Sequence, residues 1–307
     1  MVSSKAFLLK QPEGKTMQAA LDNLRQRVAQ AGYIADQELL TSLWLMTELD
    51  RPLLLEGEAG VGKTEVGKML SIVSDRPLIR LQCYEGLDVN TAVYEWNYQR
   101  QLIAIRRQEA LGGEGISEAD LFSDTYLLKR PLLQSISEPQ SAVLIIDEID
   151  RADEEFEAYL LELLSDYQVS IPELGTIKAR SIPSVVLTSN GTRELSDALR
   201  RRCLYHYIDY PEYDKELRIV LAKVPDVGAQ LAAQVVGFVQ LLRKEDLRKI
   251  PGVAETLDWT AALLRLEMKT LGDNPEAVAA TLGCLLKTRE DRESMPADVV
   301  NRLVARA

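Results

Sequence analysis

The stretch Gly57-Glu58-Ala59-Gly60-Val61-Gly62-Lys63-Thr64 limits what this chain can fold into more than any other part of the sequence. Its three glycines permit backbone conformations that side chains obstruct, so successive N–H groups can face one ligand. The lysine then offers a positive charge and the threonine a hydroxyl group. Four residues between the first glycine and Gly-Lys-Thr is the spacing of a phosphate-binding P-loop, which requires a strand before it and a helix after it.

The residues on either side of the loop meet this requirement. Leu53–Leu55 form a short apolar run that is typical of a buried strand. After the loop, apolar residues recur with the spacing of one helix face, namely at Val66, Met69, Leu70 and Val73. A glycine-rich turn without a ligand is the alternative, and it requires neither element. We expect nucleotide to contact Gly57, Glu58, Ala59, Gly60, Val61, Gly62, Lys63, Thr64 and Glu65, with Tyr33 and Ile34.

The residue types of the loop also predict the cofactors, ATP and Mg²⁺. Lys63 can reach the β- and γ-phosphates, and the hydroxyl of Thr64 can bind Mg²⁺. The helix that begins here adds the partial positive charge of its N-terminus, which favours an anion.

A second motif lies in "AVLIIDEID", Ala142 to Asp150. Five apolar residues precede two carboxylates, as in a buried strand of a parallel sheet, whose carboxyl end is where ligands bind. We expect Asp147 to hold the Mg²⁺ shell and Glu148 to orient or deprotonate the attacking water. The alternative is an ordinary strand that ends in a solvated acidic turn. The presence of a P-loop upstream favours the first interpretation.

Composition limits the partners. The net charge of −11 argues against a broad electrostatic grip on nucleic acid, although it leaves a local basic channel open. The cysteines, Cys83, Cys203 and Cys284, have neither metal nor redox spacing, which fits a reducing cytoplasm. The single histidine, His206, lies in a strand-like run, so histidine-based metal chemistry is not expected.

Neither a signal peptide nor a membrane span is expected. The first residues, "MVSSKAFLLK", lack the apolar core of a signal peptide. No apolar run approaches the ~18 residues that a membrane-spanning helix needs. We therefore predict a cytoplasmic protein.

The order of elements predicts an α/β fold. Two helices come first, over about Thr16–Gln30 and around Leu39–Leu45, and strands and helices then alternate as in a parallel sheet covered by helices. The predicted strands are Leu53–Leu55, Leu78–Cys83, Val143–Ile146, Ser184–Ser189 and Leu204–Ile208. After Pro211 only helical spacing remains, at Leu231, Val235, Phe238 and Leu242. The predicted organisation is an N-terminal arm or helix (1–30), a nucleotide-binding core (31–210) and an all-helical lid (211–307).

With the P-loop, the run Asp147-Glu148-Ile149-Asp150-Arg151-Ala152 makes the chain resemble an AAA+ ATPase, and more narrowly the MoxR group. The stretch "YEGLDVNTAVYEWNYQRQL", Tyr84 to Leu102, resembles a subgroup encoded near carbon-monoxide dehydrogenase maturation proteins. The resemblance covers about residues 30–300. It implies a P-loop NTPase with a five-stranded parallel sheet and a homo-oligomeric ring, usually a hexamer, that binds nucleotide between subunits. It also implies a von Willebrand A domain partner and a client protein that is remodelled or matured.

The resemblance assigns further residues. Asn190, at the end of "VVLTSN", matches the polar sensor 1 position; the alternative is a turn-forming Asn-Gly. Arg202, with Arg201 as the alternate, resembles the arginine finger that completes a neighbour's site; the alternative is a basic helix end favoured by the helix dipole. A sensor 2 arginine is not assigned, because Glu255 and Thr256 stand where it is expected and Arg248 is displaced.

Two inserted segments suggest a working surface. Residues 86–137 resemble the helix 2 insert of this clade, and Tyr94, Trp96 and Tyr98 alternate there. These aromatics either pack on the core or contact a substrate or partner. Residues 168–179 read as a hairpin that would face the ring pore.

Three functional classes follow. The first is an ATP-driven chaperone or remodeller, the second a nucleotide-dependent switch or scaffold with slow turnover, and the third a DNA-processing AAA+ protein. Glu148 and Arg202 favour turnover over a slow switch, and the acidic charge disfavours DNA.

Overall fold

The structure is a computed structural model that describes residues 17–111 and 116–307. The expectations for "MVSSKAFLLK", for Thr16 and for residues 112–115 of the insert lie outside the described residues. The described chain forms two compact units. The first contains residues 17–27, Gln37–Glu56 and Gly67–His206 without the gap, and the second contains Val28–Asp36, Gly57–Val66 and Tyr207–Ala307. The units are interleaved along the chain, and the division into three consecutive segments stays a prediction.

The strands of the described residues are β1 Leu53–Glu56, β2 Leu78–Gln82, β3 Tyr94–Trp96, β4 Leu127–Lys129, β5 Val143–Asp147, β6 Gln168–Ile171, β7 Gly175–Lys178, β8 Ser184–Ser189 and β9 Leu204–Tyr207. The helices are α1 Met17–Gln30, α2 Gln37–Glu48, α3 Lys63–Ser74, α4 Val89–Ala92, α5 Tyr98–Ala110, α6 Glu118–Leu121, α7 Pro131–Ser137, α8 Glu154–Asp166, α9 Asp197–Arg202, α10 Tyr213–Lys223, α11 Ala229–Leu242, α12 Val253–Arg265, α13 Pro275–Thr281, α14 Arg289–Glu293 and α15 Ala297–Arg306. Short 3₁₀ turns occupy Ile149–Arg151 and Leu282–Cys284.

A five-stranded sheet in the order β2-β5-β8-β1-β9 forms the centre of the first unit. The pairs β2–β5, β5–β8 and β1–β8 are parallel. Every residue of β5 and β8 is buried, in keeping with the apolar runs Val143–Ile146 and Val185–Leu187 within them. This sheet confirms the predicted fold class. It also places the carboxyl ends of β1, β5 and β8 at one edge.

The predicted strands occur with small shifts at their ends. Cys83 and Ile208 lie just beyond β2 and β9, whereas Glu56 and Asp147 belong to β1 and β5. Asp147 continues its strand because it is in register with Gln82 of β2, so the ladder runs one residue further than the apolar run does.

Within the insert, β3 and β4 form an antiparallel pair. Trp96 is buried and makes edge-to-face contacts with Tyr94 and Phe122, with ring centroids 6.4 Å and 5.1 Å away. Tyr98 is 61% exposed. The alternating aromatics therefore have different environments, because Trp96 is packed inside the insert and Tyr98 faces solvent. Further along, β6 and β7 pair antiparallel as the predicted hairpin.

The second unit has a helical core of its own. Leu231, Val235, Phe238 and Leu242, the residues with helical spacing in the sequence, are all buried on α11. Phe238 packs on Trp259 of α12 at a ring distance of 4.9 Å. No helix in residues 17–111 or 116–307 is both long enough and apolar enough to cross a bilayer.

Candidate functional site

The P-loop has the backbone conformation that its glycines allow. Gly57, Gly60 and Gly62 have φ angles of 157°, 79° and 97°. At Gly57 a Cβ atom would lie 2.1 Å from the carbonyl oxygen of Ile208, so only glycine fits there. Lys63, the first residue of α3, is buried, and its Nζ donates to the carbonyl oxygens of Gly57 at 2.6 Å and Glu58 at 2.7 Å. The ammonium group is thus held inside the curve of the loop.

The start of α12 packs against this loop, within the same unit. Ala254 N–H donates to the carbonyl of Gly60 across 3.3 Å. At Gly252 a Cβ atom would lie 2.9 Å from the carbonyl oxygen of Ala59, so the two backbones approach closely. Glu255 accepts from Gly252 N–H at 3.0 Å and caps the helix. The position where a sensor 2 arginine was sought therefore carries a carboxylate next to the P-loop.

The other two residues considered for sensor 2 have structural partners elsewhere. The hydroxyl of Thr256 donates to the buried carboxylate of Glu216 at 2.7 Å. Glu216 is also held by two nitrogens of Arg243, at 2.6 Å and 2.7 Å. Arg248 forms an exposed ion pair with Glu290 at 3.3 Å. We assign no sensor 2 role to Thr256 or Arg248.

Tyr33 and Ile34 belong to the segment Val28–Asp36, which is part of the second unit and directly precedes α2. Burial raises the pKa of the Tyr33 phenol, and the nearby charges of Asp36 and Glu65 raise it further. Asp36 forms an ion pair with Lys215 of α10 at 2.7 Å. The Tyr33 phenol is therefore neutral, and its half-buried ring lies close to the charge of Glu65 in the first turn of α3.

In the first unit, the end of β5 places two carboxylates on a shared support. Asp147 is 2% exposed. The hydroxyl of Thr188 on β8 donates to Asp147 Oδ1 at 2.5 Å and accepts from Glu148 N–H at 2.9 Å. Glu148 has left-handed backbone angles, φ 54° and ψ 51°, which cost energy for a non-glycine residue and are often found at functional sites. Its Oε2 lies 3.3 Å from Arg151 NH1.

The loop after β8 is held by a carboxylate that the sequence reasoning did not single out. Asp150 Oδ2 accepts from Asn190 N–H at 3.2 Å, from Thr192 N–H at 3.0 Å and from the Thr192 hydroxyl at 2.6 Å. Burial acts to raise the pKa of Asp150, but these hydrogen bonds outweigh it, so the pKa is lowered and the residue stays ionised. Asp150 thus fixes the backbone at Asn190.

Cys83 follows β2 and lies beside the end of β5, but its thiol is not reactive near neutral pH. Its N–H donates to the carbonyl oxygen of Asp147 at 2.8 Å. Burial, and then the charge of Asp147, raises the pKa of the thiol to about 12. The thiol therefore stays protonated and unreactive.

The two candidate finger arginines differ in their surroundings. Arg202 donates to the hydroxyl of Ser165 and, at 2.9 Å, to the carbonyl oxygen of Ala198. Arg201 has an 82% exposed side chain and only a loose ion pair with Asp197, at 3.8 Å. Arg51 donates to the Arg201 carbonyl oxygen at 2.6 Å, which fixes the end of α9. Of the two side chains, that of Arg201 extends into solvent.

The donor set fits Mg²⁺ and does not fit an all-protein metal cage. Among the described residues there is no group of three or more His, Cys, Asp or Glu side chains able to hold a metal. Mg²⁺ commonly takes one or two protein oxygens and completes its shell with phosphate oxygens and water. Asp147 and Thr64 each carry an oxygen of that kind.

A glycine-rich loop between β1 and α3, and paired carboxylates at the end of β5 in a parallel sheet, define a P-loop NTPase. Residues 52–203 match the AAA domain of the dynein-related subfamily. The chain therefore carries an AAA domain over these 152 of its 307 residues.

Several known proteins are similar to it. The denitrification regulatory protein NirQ of Stutzerimonas stutzeri is 26% identical over 267 residues, which are 80% of this chain and 87% of NirQ. The gas vesicle ATPase GvpN2 of Halobacterium salinarum is 26% identical over 243 residues, 76% of this chain and 66% of GvpN2. Among solved structures, the Thermotoga maritima RuvB Holliday junction branch migration motor is 15% identical, with a TM-score of 0.43, over 85% of this chain and 68% of that one.

Proposed function

We propose that the chain binds Mg-ATP through Lys63, Thr64 and Asp147 and hydrolyses it with Glu148 as general base. Lys63 neutralises phosphate charge, and Asp147 and Thr64 supply oxygen ligands for Mg²⁺. Glu148 accepts the proton of the water that attacks the γ-phosphate, and ADP is the leaving group. The observation that carries this proposal is the support of Asp147 and Glu148 by one hydroxyl, that of Thr188.

We further propose that hydrolysis remodels or matures a partner protein, in the manner of a MoxR-type chaperone. The relatives support a partner-directed role, since one is called a denitrification regulatory protein and another a gas vesicle ATPase. The insert adds an exposed surface for a client, including Tyr98. Our proposal includes a von Willebrand A domain partner, a metalloenzyme client of the carbon-monoxide dehydrogenase type and a cytoplasmic location, all of which rest on the sequence resemblance.

The active form in this proposal is a homo-oligomeric ring, in which an arginine of one subunit completes the site of the next. An exposed Arg201 supports such a role, because a finger must extend beyond its own subunit. Asn190 would orient the attacking water as sensor 1, with its backbone held by Asp150.

The test is steady-state ATP hydrolysis of the purified chain, alone, with a purified von Willebrand A domain protein, and with single- or double-stranded DNA. A chaperone of this kind should turn over ATP, and the partner should change the rate. Turnover stimulated by DNA alone would replace the proposal with a DNA-processing function. Tight ATP binding without measurable turnover under any of these conditions would support a nucleotide-dependent switch instead.

A further inference from the structure

An arginine on the edge strand of the sheet lies on the carboxylate that we assign to the metal. Arg80 Nε is 3.1 Å from Asp147 Oδ2, and Arg80 NH2 is 2.5 Å from the same oxygen. The other oxygen, Oδ1, accepts from Thr188. Arg80 is on β2, whose partner in the ladder is β5, so the contact follows directly from the order of the sheet.

The two sides of this ion pair are unequal. Asp147 is fixed and almost fully buried, whereas the Arg80 side chain is 49% exposed. Arg80 NH2 also donates to Gln82 Oε1 at 2.8 Å, so a second partner is available two residues away on the same strand. The charge of Arg80 would therefore remain solvated if its side chain moved away from Asp147.

We propose that Arg80 is a positioning residue that holds the Asp147 carboxylate in the metal-free protein and competes with the divalent cation for it. Both partners are positive, and both would use the same oxygen, so each weakens the binding of the other. This inference rests on the proposed function, because it takes Asp147 as a residue of the metal site.

Arg80→Gln tests the competition, because it removes the charge and keeps a polar side chain of moderate length. The matched control is Arg130→Gln, which removes an arginine of the same unit that is paired with Glu95 of β3, outside the nucleotide motifs. The quantity to measure is the Kd of a fluorescent ATP analogue in EDTA and in Mg²⁺, by equilibrium titration. The ratio of the two Kd values cancels any direct effect of Arg80 on the phosphates, since such an effect is present in both conditions.

We expect the ratio of the Kd in EDTA to the Kd in Mg²⁺ to rise at least about threefold in Arg80→Gln, because the contact that is lost is charged and partly exposed. The same ratio should stay unchanged in Arg130→Gln. Direct binding of Mn²⁺ to the ADP complex, followed by electron paramagnetic resonance, should tighten by a similar factor. Arg80→Lys should fall between the wild type and Arg80→Gln, because a lysine ammonium replaces two N–H contacts with one. Arg80→Lys also serves if the glutamine variant does not fold.

Each outcome decides the matter. If the wild type binds no nucleotide in either condition, the proposed function fails. If the wild type binds Mg-nucleotide but the ratio in Arg80→Gln is unchanged, competition is excluded and Arg80 has a structural role only. A lower ratio in Arg80→Gln would show that Arg80 supports cation binding, which is the opposite of the proposal.

Discussion

The hydroxyl of Thr188 donates to the Asp147 carboxylate across 2.5 Å, at the point where β8 and β5 run side by side. The same hydroxyl accepts from Glu148 N–H, so one oxygen sets the positions of both carboxylates. Asp147 is buried, so its charge needs polar partners such as the Thr188 hydroxyl and Arg80. Thr188 therefore links β8, which is followed by Asn190, to β5, which ends at Asp147 and is followed by Glu148.

Thr188→Val keeps the shape of the side chain and removes its hydroxyl. We expect the free energy of unfolding to fall by about 1–3 kcal/mol, because a buried carboxylate oxygen and a backbone N–H lose their partner. We also expect kcat for ATP to fall at least about tenfold, because Glu148 loses its fixed orientation. Thr188→Ser is the control, since it retains the hydroxyl and should cost about 1 kcal/mol or less. Denaturant unfolding and steady-state kinetics measure both effects. Wild-type turnover in Thr188→Val would show that the hydroxyl of Thr188 does not contribute to catalysis.

The sequence predicted β1, β5 and β8 because their apolar runs are typical of strands that are buried on both faces. It predicted the P-loop because glycine spacing is a local property of the chain. Thr188 was not found, because a threonine within a strand has no local mark that distinguishes a bridging hydroxyl from a packing side chain. Its role depends on which strand lies beside β8, and that order is a property of the whole sheet.

The same reasoning applies to Arg80 and Asp150. Arg80 has no signal in the sequence, because charged residues on edge strands usually face solvent. Asp150 belongs to the recognised acidic motif, but its bonds to the Asn190 loop join residues far apart in the chain. Neither contact can be derived from periodicity, since periodicity reports the face of an element and not its neighbour.

Lys63→Ala should weaken ATP binding by about ten- to a hundredfold, because a charge-assisted contact to phosphate is lost. The Nζ atom now donates to two carbonyl oxygens of its own loop, so the variant also leaves those acceptors for water. Lys68→Ala is the matched control, because that lysine is exposed on the same helix. Isothermal titration calorimetry with ATP and Mg²⁺ measures the change. Equal affinities of Lys63→Ala and the wild type would refute the assignment of the loop.

Glu148→Gln should separate binding from hydrolysis. The amide preserves the size of the side chain but cannot accept the proton of the attacking water, so turnover should fall at least about tenfold while ATP affinity changes little. Glu154→Gln, in the first turn of α8, is the control for removal of one acidic charge near the motif. Single-turnover kinetics with labelled ATP gives the chemical step directly. If Glu148→Gln hydrolyses ATP at the wild-type rate, the general base is another group.

Arg201 and Arg202 offer a test of the ring, because their surroundings predict different consequences of removing them. Arg202→Ala loses its bonds to Ser165 and to the Ala198 carbonyl, so it should lower the free energy of unfolding by about 0.5–1.5 kcal/mol per hydrogen bond. Arg201→Ala loses almost no contact within its own chain. It should leave stability and ATP affinity unchanged, yet depress hydrolysis by roughly 10³-fold if this arginine completes a neighbour's site.

Mixing experiments then distinguish a finger in trans from a local effect. Arg201→Ala has an intact P-loop and Lys63→Ala has an intact finger, so a mixed assembly contains some interfaces with both, and its hydrolysis should exceed that of either variant alone. Activity per subunit should also rise with protein concentration, and the mass measured in ATP should exceed that of a monomer. The control is a mixture of Arg201→Ala with Lys63→Ala/Arg201→Ala double-variant subunits, which has no good finger at any interface and should stay inactive. A protein that remains monomeric in ATP, with hydrolysis independent of concentration and of both arginines, would contradict the ring and leave each subunit to complete its own site.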